Sequence, residues 1–237
     1  MPTLLRGWCC SLLVIGCCVP VASLAAPAGS GIPATTEGLV KVPSKRLAAV
    51  YLLPGADLRA YTKIMLDPVQ VSFRKGWLKD INRSRGVSRK VSEQDAQEIA
   101  AAMRSGFEDI FAAQFKAKGY EVVNAPAPGV LRISAEIANV YLNAPNAMDQ
   151  AGARTYTVEA GEATLALAGR DSTSNAVLGL AVDHRTTGGV GRATLASPAN
   201  NRFQFEALFR DWARACVLGL EELKARSPLT PRSGTKG

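Results

Sequence analysis

The residues with the most potential for acid–base chemistry are Asp171, Asp183 and His184, the last being the one histidine of the chain. A hydrolase needs a nucleophile, a base and a group that orients the base. These three side chains could supply part of such a set if one end of a hairpin brought them together. The simpler interpretation, which we favour, is that they are turn and strand-end residues that pair with Arg170 and Arg185. A hydrolase or transferase using Asp183 and His184 stays as a minor alternative.

Other chemical motifs are incomplete in this sequence. There is no second histidine for a zinc site and no Gly-x-Ser-x-Gly nucleophile elbow. Residues 186–194, TTGGVGRAT, lack the Gly-Lys-Ser/Thr ending of a phosphate-binding loop. Cys216 lies on the apolar face of a predicted helix, as a small buried hydrophobe would, and we favour that over a nucleophile. The sequence therefore predicts no catalytic residues, no metal and no cofactor.

Residues 74–90 form the most basic segment. An aromatic residue among cations is common where proteins contact anionic membranes or polymers. The same pattern also occurs in a solvated loop whose tryptophan folds back into the core, which is the commoner case. The candidate binding residues of this segment are Arg74, Lys75, Trp77, Lys79, Arg83 and Arg85. The net charge of +8 also favours anionic partners.

The amino terminus predicts export. Arg6 precedes an apolar run at residues 9–19 that has the length of a signal-peptide core and is too short to span a membrane. Two processing routes fit it. Signal peptidase would cleave before Ala26, or residues 14–17, Val-Ile-Gly-Cys, would act as a lipobox and leave a lipidated Cys17. Val14 stands where a lipobox usually has leucine, and the two routes are equally supported.

Hydrophobic patterns predict an α+β domain behind this leader. We expect residues 1–25 to be a signal peptide, 26–45 a flexible tether, 46–226 one domain and 227–237 a disordered tail. Two helices are predicted at residues 92–118 and 201–226 from apolar residues at helical spacing and polar N-caps. Alternating segments predict a mainly antiparallel sheet of four or five strands with both helices on one face, in the order β-α-β-β-β-α.

The stretch at residues 61–73, YTKIMLDPVQVSF, is the first core strand of this prediction. Its apolar residues keep to one face only if Asp67-Pro68 forms a β-bulge. Asp67 would then either bind a ligand or, as we favour, accept a local backbone hydrogen bond. A later strand is predicted from Leu131 to Tyr141, and residues 156–170 and 177–184 should form a hairpin.

Taken in order, several of these segments resemble a known family. They are PGADLRAY at residues 54–61, KIMLDPVQVSF at 63–73, the helix followed by GYEVV at 119–123, and the hairpin with Arg170-Asp171-Ser172 at its turn. Together they resemble the bacterial envelope lipoproteins catalogued as domain of unknown function 3313. The resemblance implies an exported, periplasm-facing or outer-membrane-anchored protein without an assigned activity. We therefore expect a non-enzymatic protein whose partner is another envelope component rather than nucleic acid.

Overall fold

The computed structural model describes residues 32–33, 35–83, 90–143, 156–157, 161–187, 194–195 and 198–228. Predictions about the leader, Cys17, residues 26–31 and 34 of the tether, Arg85 and residues 229–237 of the tail lie outside these residues. Within the described parts, no helix is both long and apolar enough to cross a membrane.

The described residues form a mixed eight-stranded sheet, and a separate two-stranded ribbon. The prediction of four or five mainly antiparallel strands in the order β-α-β-β-β-α was therefore wrong in strand number and pairing. The elements are β1 (Val40–Val42), β2 (Ala49–Leu52), β3 (Lys63–Leu66), β4 (Gln70–Phe73), α1 (Trp77–Asn82), α2 (Glu93–Ala117), β5 (Glu121–Val123), β6 (Val130–Leu142), β7 (Tyr156–Thr157), β8 (Gly161–Asp171), β9 (Val177–Thr187), β10 (Thr194–Leu195) and α3 (Pro198–Ala225).

The parallel part of the sheet follows from α2, which crosses over between strands. A helix between two strands returns the chain in its original direction, so β3 pairs in parallel with both β5 and β6. Strands β1, β2, β9, β8 and β6 form the antiparallel part. β1 falls inside the segment that the sequence predicted as a tether.

The predicted strand at residues 61–73 is divided in the structure. β3 and β4 both pair in parallel with β6, and Asp67, Pro68 and Val69 separate them. Pro68 has no N–H to donate to a neighbouring strand, so it fits better in this interruption than at a paired position inside a strand. At Asp67-Pro68, where a β-bulge was predicted, the chain thus interrupts its pairing with β6 and then resumes it.

Helices α2 and α3 pack against each other and against one apolar face of the sheet. The polar N-cap predicted for α2 is Ser92, and it forms a capping box: the Ser92 side chain accepts from Asp95 N–H, and the Asp95 carboxylate accepts from Ser92 N–H. Phe107 of α2 meets Phe209 of α3 edge to face, with ring centroids 5.5 Å apart. The buried sheet residues beneath them include Ile133, Ala135, Ile137, Leu165 and Leu167.

Candidate functional site

The segment predicted to bind anionic partners folds into α1 and borders an open groove against the start of α2. The groove has a volume of about 860 Å³. Its walls include Gly76, Trp77, Lys79, Arg83, Lys90 and Glu93. Sequence reasoning treated this segment as a basic loop and missed the short helix.

Trp77 anchors the groove and is not a surface contact. It is only 1% exposed, and its ring stacks on Phe73 with centroids 4.2 Å apart. Its indole N–H donates to the Leu142 carbonyl over 3.0 Å. Gly76 precedes it at φ 81°, a backbone conformation that suits glycine. Of the candidate binding residues, Trp77 therefore belongs to the core, and its ring is not available at the surface.

Asn82, at the end of α1, joins this helix to Val91, which lies just before α2. Its side-chain amide donates to the Val91 carbonyl, and its side-chain oxygen accepts from Val91 N–H, both over 2.8 Å. These two bonds fix the ends of residues 83–90 beside each other. Sequence reasoning missed this clamp, although an asparagine at the end of a short helix was an available signal.

The cations of this segment differ in their pairing. Arg74 pairs with Glu162 at 2.8 Å and lies 3.8 Å from the ring centroid of Tyr141. Arg83 pairs with Asp80 at 3.1 Å, and both side chains are well exposed. Three exposed lysines, Lys75, Lys79 and Lys90, form no ion pair with any residue that the structure describes. Surface ion pairs are weak, so the groove presents a net positive charge to solvent.

Asp183 and His184 point to opposite faces of the sheet. Asp183 is 6% exposed and faces α3, where its carboxylate accepts from Trp212 Nε1 (2.9 Å), Arg185 Nε (2.6 Å) and Ala48 N–H (2.9 Å). His184 lies on the outer face, where Nδ1 is 3.2 Å from Thr164 Oγ1. Adjacent residues of a strand must diverge in this way. The structure therefore removes the predicted alternative of a joint catalytic role.

Asp171 is remote from both residues. It begins the turn between β8 and β9, while His184 pairs with Thr164 at the other end of β8. At about 3.3 Å per residue the two sites are about 23 Å apart along the strand. One carboxylate oxygen of Asp171 accepts bonds from the backbone and hydroxyls of Thr173 and Ser174, and Tyr61 donates to the other. Bonds from Ser174 and Thr173 hold the pKa of Asp171 well below its usual range.

Asp67 ties the strand interruption to the neighbouring strand. Its carboxylate accepts from Arg132 Nε over 2.9 Å and from Ser134 Oγ over 2.5 Å. Both partners lie on β6, so neither the expected ligand contact nor the expected local backbone bond describes Asp67. The carboxylate instead joins two strands where the backbone ladder is broken.

The part of the chain that the structure describes contains no cluster of three His, Cys, Asp or Glu side chains that could hold a metal ion.

The chain was compared with known proteins in three ways. A search of curated proteins found no match.

Several solved structures resemble the chain weakly. The PelC dodecamer of Paraburkholderia phytofirmans is 11% identical, with 68% of this chain and 94% of that chain covered and a TM-score of 0.31. Protein XCC0632 of Xanthomonas campestris is 11% identical, covering 73% and 91%, with a TM-score of 0.35. A putative neuraminyllactose-binding hemagglutinin homolog of Helicobacter pylori is 11% identical, covering 72% and 86%, with a TM-score of 0.29. Similarity at this level supports no argument about function.

The family comparison is decisive, because one family model matches residues 29–216, which is most of the chain. This confirms the resemblance found in the ordered sequence segments. The chain belongs to the family described as protein of unknown function DUF3313.

Proposed function

We propose that this chain is an exported, non-enzymatic envelope protein that acts by binding, and that the groove beside α1 contacts anionic lipid headgroups. The observation that supports this best is the arrangement around Trp77 and Asn82. A buried ring and a double hydrogen bond fix the floor and base of the groove, while Lys79 and Lys90 remain unpaired with any described residue. Rigid support under free cations lowers the conformational cost of binding.

Export from the cytoplasm is part of the same proposal. Either signal-peptidase cleavage before Ala26 or lipidation of Cys17 would place the domain outside the cytoplasm. The mature chain stays basic in both cases because the leader contains one charged residue, Arg6. A lipid anchor at Cys17 would also hold the groove near headgroups, through a segment rich in small and polar residues.

Vesicle sedimentation tests the groove. Purified chain of residues 26–237 should sediment with vesicles containing phosphatidylglycerol and not with vesicles of phosphatidylcholine alone. A basic residue near an anionic membrane surface contributes about 1 kcal/mol. Replacing Lys79 and Lys90 by glutamine should therefore weaken binding by roughly 30-fold, and added salt should weaken the binding of the unmodified chain.

A matched control has the same change of charge elsewhere. Lys116 and Lys118 are exposed near the far end of α2 and form no ion pair with the described residues. At 1.5 Å per residue, the 25-residue helix places them about 35 Å from the groove. Their replacement by glutamine should leave vesicle binding within about twofold. Equal losses in the two double variants, or no binding to anionic vesicles, would contradict the proposal. Binding to soluble polyphosphate in place of vesicles would assign the groove to a polymer.

A further inference from the structure

A second and separate feature is an apolar pocket between the C-terminal half of α3 and the antiparallel part of the sheet. Its volume is about 140 Å³. Its walls include Val50, Leu52, Leu167, Leu178, Leu220 and Leu223. An engineered protein cavity of about 150 Å³ with similar walls stays dry and binds benzene. The pocket is therefore large enough for a ligand segment of roughly six carbon atoms.

Gly219 helps to leave this space open. It lies inside α3 on the pocket wall, and a Cβ placed on it would meet no atom within 4 Å. Glycine in a helix interior costs about 1 kcal/mol relative to alanine. Close packing does not require a glycine here, so the residue weakens the helix and enlarges the pocket.

Cys216 lies one helical turn from Gly219 and also lines the pocket. The residue as a whole is half-buried, and it borders the empty space of the pocket. Burial among apolar groups raises the pKa of this thiol to about 12. Both properties make Cys216 a reporter of whether the pocket is occupied.

The mouth of the pocket has a positive excess. Arg46 pairs with Glu222 at 2.5 Å, and both side chains are partly exposed. Arg226 also lines the pocket and forms no ion pair with any of the described residues. Two guanidinium groups thus face one carboxylate, which favours an anionic group at the opening.

We propose that this pocket binds the end of a single hydrocarbon chain whose anionic head lies at the mouth, beside Arg46 and Arg226. The apolar walls hold the terminal carbons, and the remaining methylenes run from there to the mouth, where the head lies. A free fatty acid and an acyl chain of an envelope lipid share this chemistry. The inference concerns a different site from the basic groove and does not depend on it.

The test uses Cys216 as the single thiol of the chain of residues 26–237. Decanoate should slow modification of Cys216 by methyl methanethiosulfonate at least tenfold, as followed by intact mass. The Arg226→Gln variant should lose affinity for decanoate about tenfold while binding of the uncharged decanol changes little. Decanoate protection without protection by phospholipid vesicles would assign the site to free fatty acids, and protection by vesicles would assign it to membrane lipid.

A variant in which a new side chain fills the pocket provides the matched comparison. Gly219→Leu should remove the protection by decanoate, because the new side chain occupies the space of the ligand. Gly106→Leu makes the same change in α2, where a Cβ also meets no atom within 4 Å and a different cavity is lined. It should leave protection of Cys216 unchanged. The proposal is overturned if neither decanoate nor vesicles protect Cys216, or if the two leucine variants behave alike while both remain folded.

Discussion

Replacing Asp183 by alanine should destabilise the fold strongly, because its carboxylate joins three parts of the chain. The change leaves the N–H of Trp212 without its acceptor, and the Trp212 side chain is fully buried. An unsatisfied buried donor costs about 1–3 kcal/mol. Breaking a fully buried ion pair costs about 3–5 kcal/mol, but the side chain of Arg185 is 29% exposed and can recover some hydration. We therefore expect a loss of about 2–4 kcal/mol in the free energy of unfolding.

His184→Ala is the matched variant, since the two residues are neighbours in the chain and lie on opposite faces. The side chain of His184 is 55% exposed, and its contact with Glu162 spans 3.7 Å, so its loss should cost less than about 1 kcal/mol. Urea unfolding followed by tryptophan fluorescence measures both. A further cycle with Trp212→Phe should show coupling with Asp183→Ala of about 1 kcal/mol or more. Equal losses in Asp183→Ala and His184→Ala would refute the assignment of Asp183 to a structural network.

Three further predictions concern single residues. The pKa of Cys216 is raised from 9.0 to about 12. Below pH 9 its thiol should therefore react with a small maleimide about 1,000-fold more slowly than an unfolded cysteine, and the reaction rate should still rise at about pH 10. A rate that reaches a plateau near pH 9 would contradict this. The pKa of Tyr61 is raised to about 12 by burial and by its bond to a carboxylate, so the stability it contributes is complete below about pH 10 and is lost as the pH rises toward 12. Tyr61→Phe should reduce the alkaline loss of stability measured by urea midpoints, and an unchanged pH profile would argue against it. Gly219→Ala should stabilise the fold by about 0.5–1 kcal/mol, and a lower thermal midpoint would show that the pocket wall is more crowded than the structure indicates.

The local elements could be predicted because their signals are local. Ser92 and Asp95 specify a capping box within four residues, and Phe107 and Phe111 repeat at helical spacing. The β8–β9 hairpin likewise follows from two alternating runs around a turn that Asp171 organises. Helix α2 differs from its predicted bounds by one residue at each end, and the bounds of β8 and β9 differ from the predicted ones by at most five residues.

The pairing of strands could not be read from the same patterns. Short parallel strands such as β3 and β5 show too few residues for a clear alternation, and nothing local specifies which neighbour they join. A bulge at Asn139, whose φ is 53°, shifts the register of β6 against β8. It places Tyr141 opposite Glu162 on the outer face, whereas Leu131 lies on the buried face, so a simple alternation along β6 does not hold to its end.

The sequence predicted which residues make up the candidate site but not how they are arranged. The run of cations in residues 74–90 was evident, and folding of its tryptophan into the core was one of two interpretations. The clamp between Asn82 and Val91 joins residues nine apart through side-chain geometry, which a charge pattern does not contain. The apolar pocket combines residues of α3 with residues of β2, β8 and β9, which lie far apart in the chain, so no spacing in the sequence could indicate it.

Intact-mass analysis of the native protein from membrane and periplasmic fractions tests the central claim, that this is an exported envelope protein, most directly. The account predicts one of two processed forms: a chain beginning at Cys17 with added acyl groups, or an unlipidated chain beginning at Ala26. The first would place the basic groove at a membrane surface, and the second would release the domain from it. A cytoplasmic chain that still begins at Met1, with neither processed form present, would contradict the account.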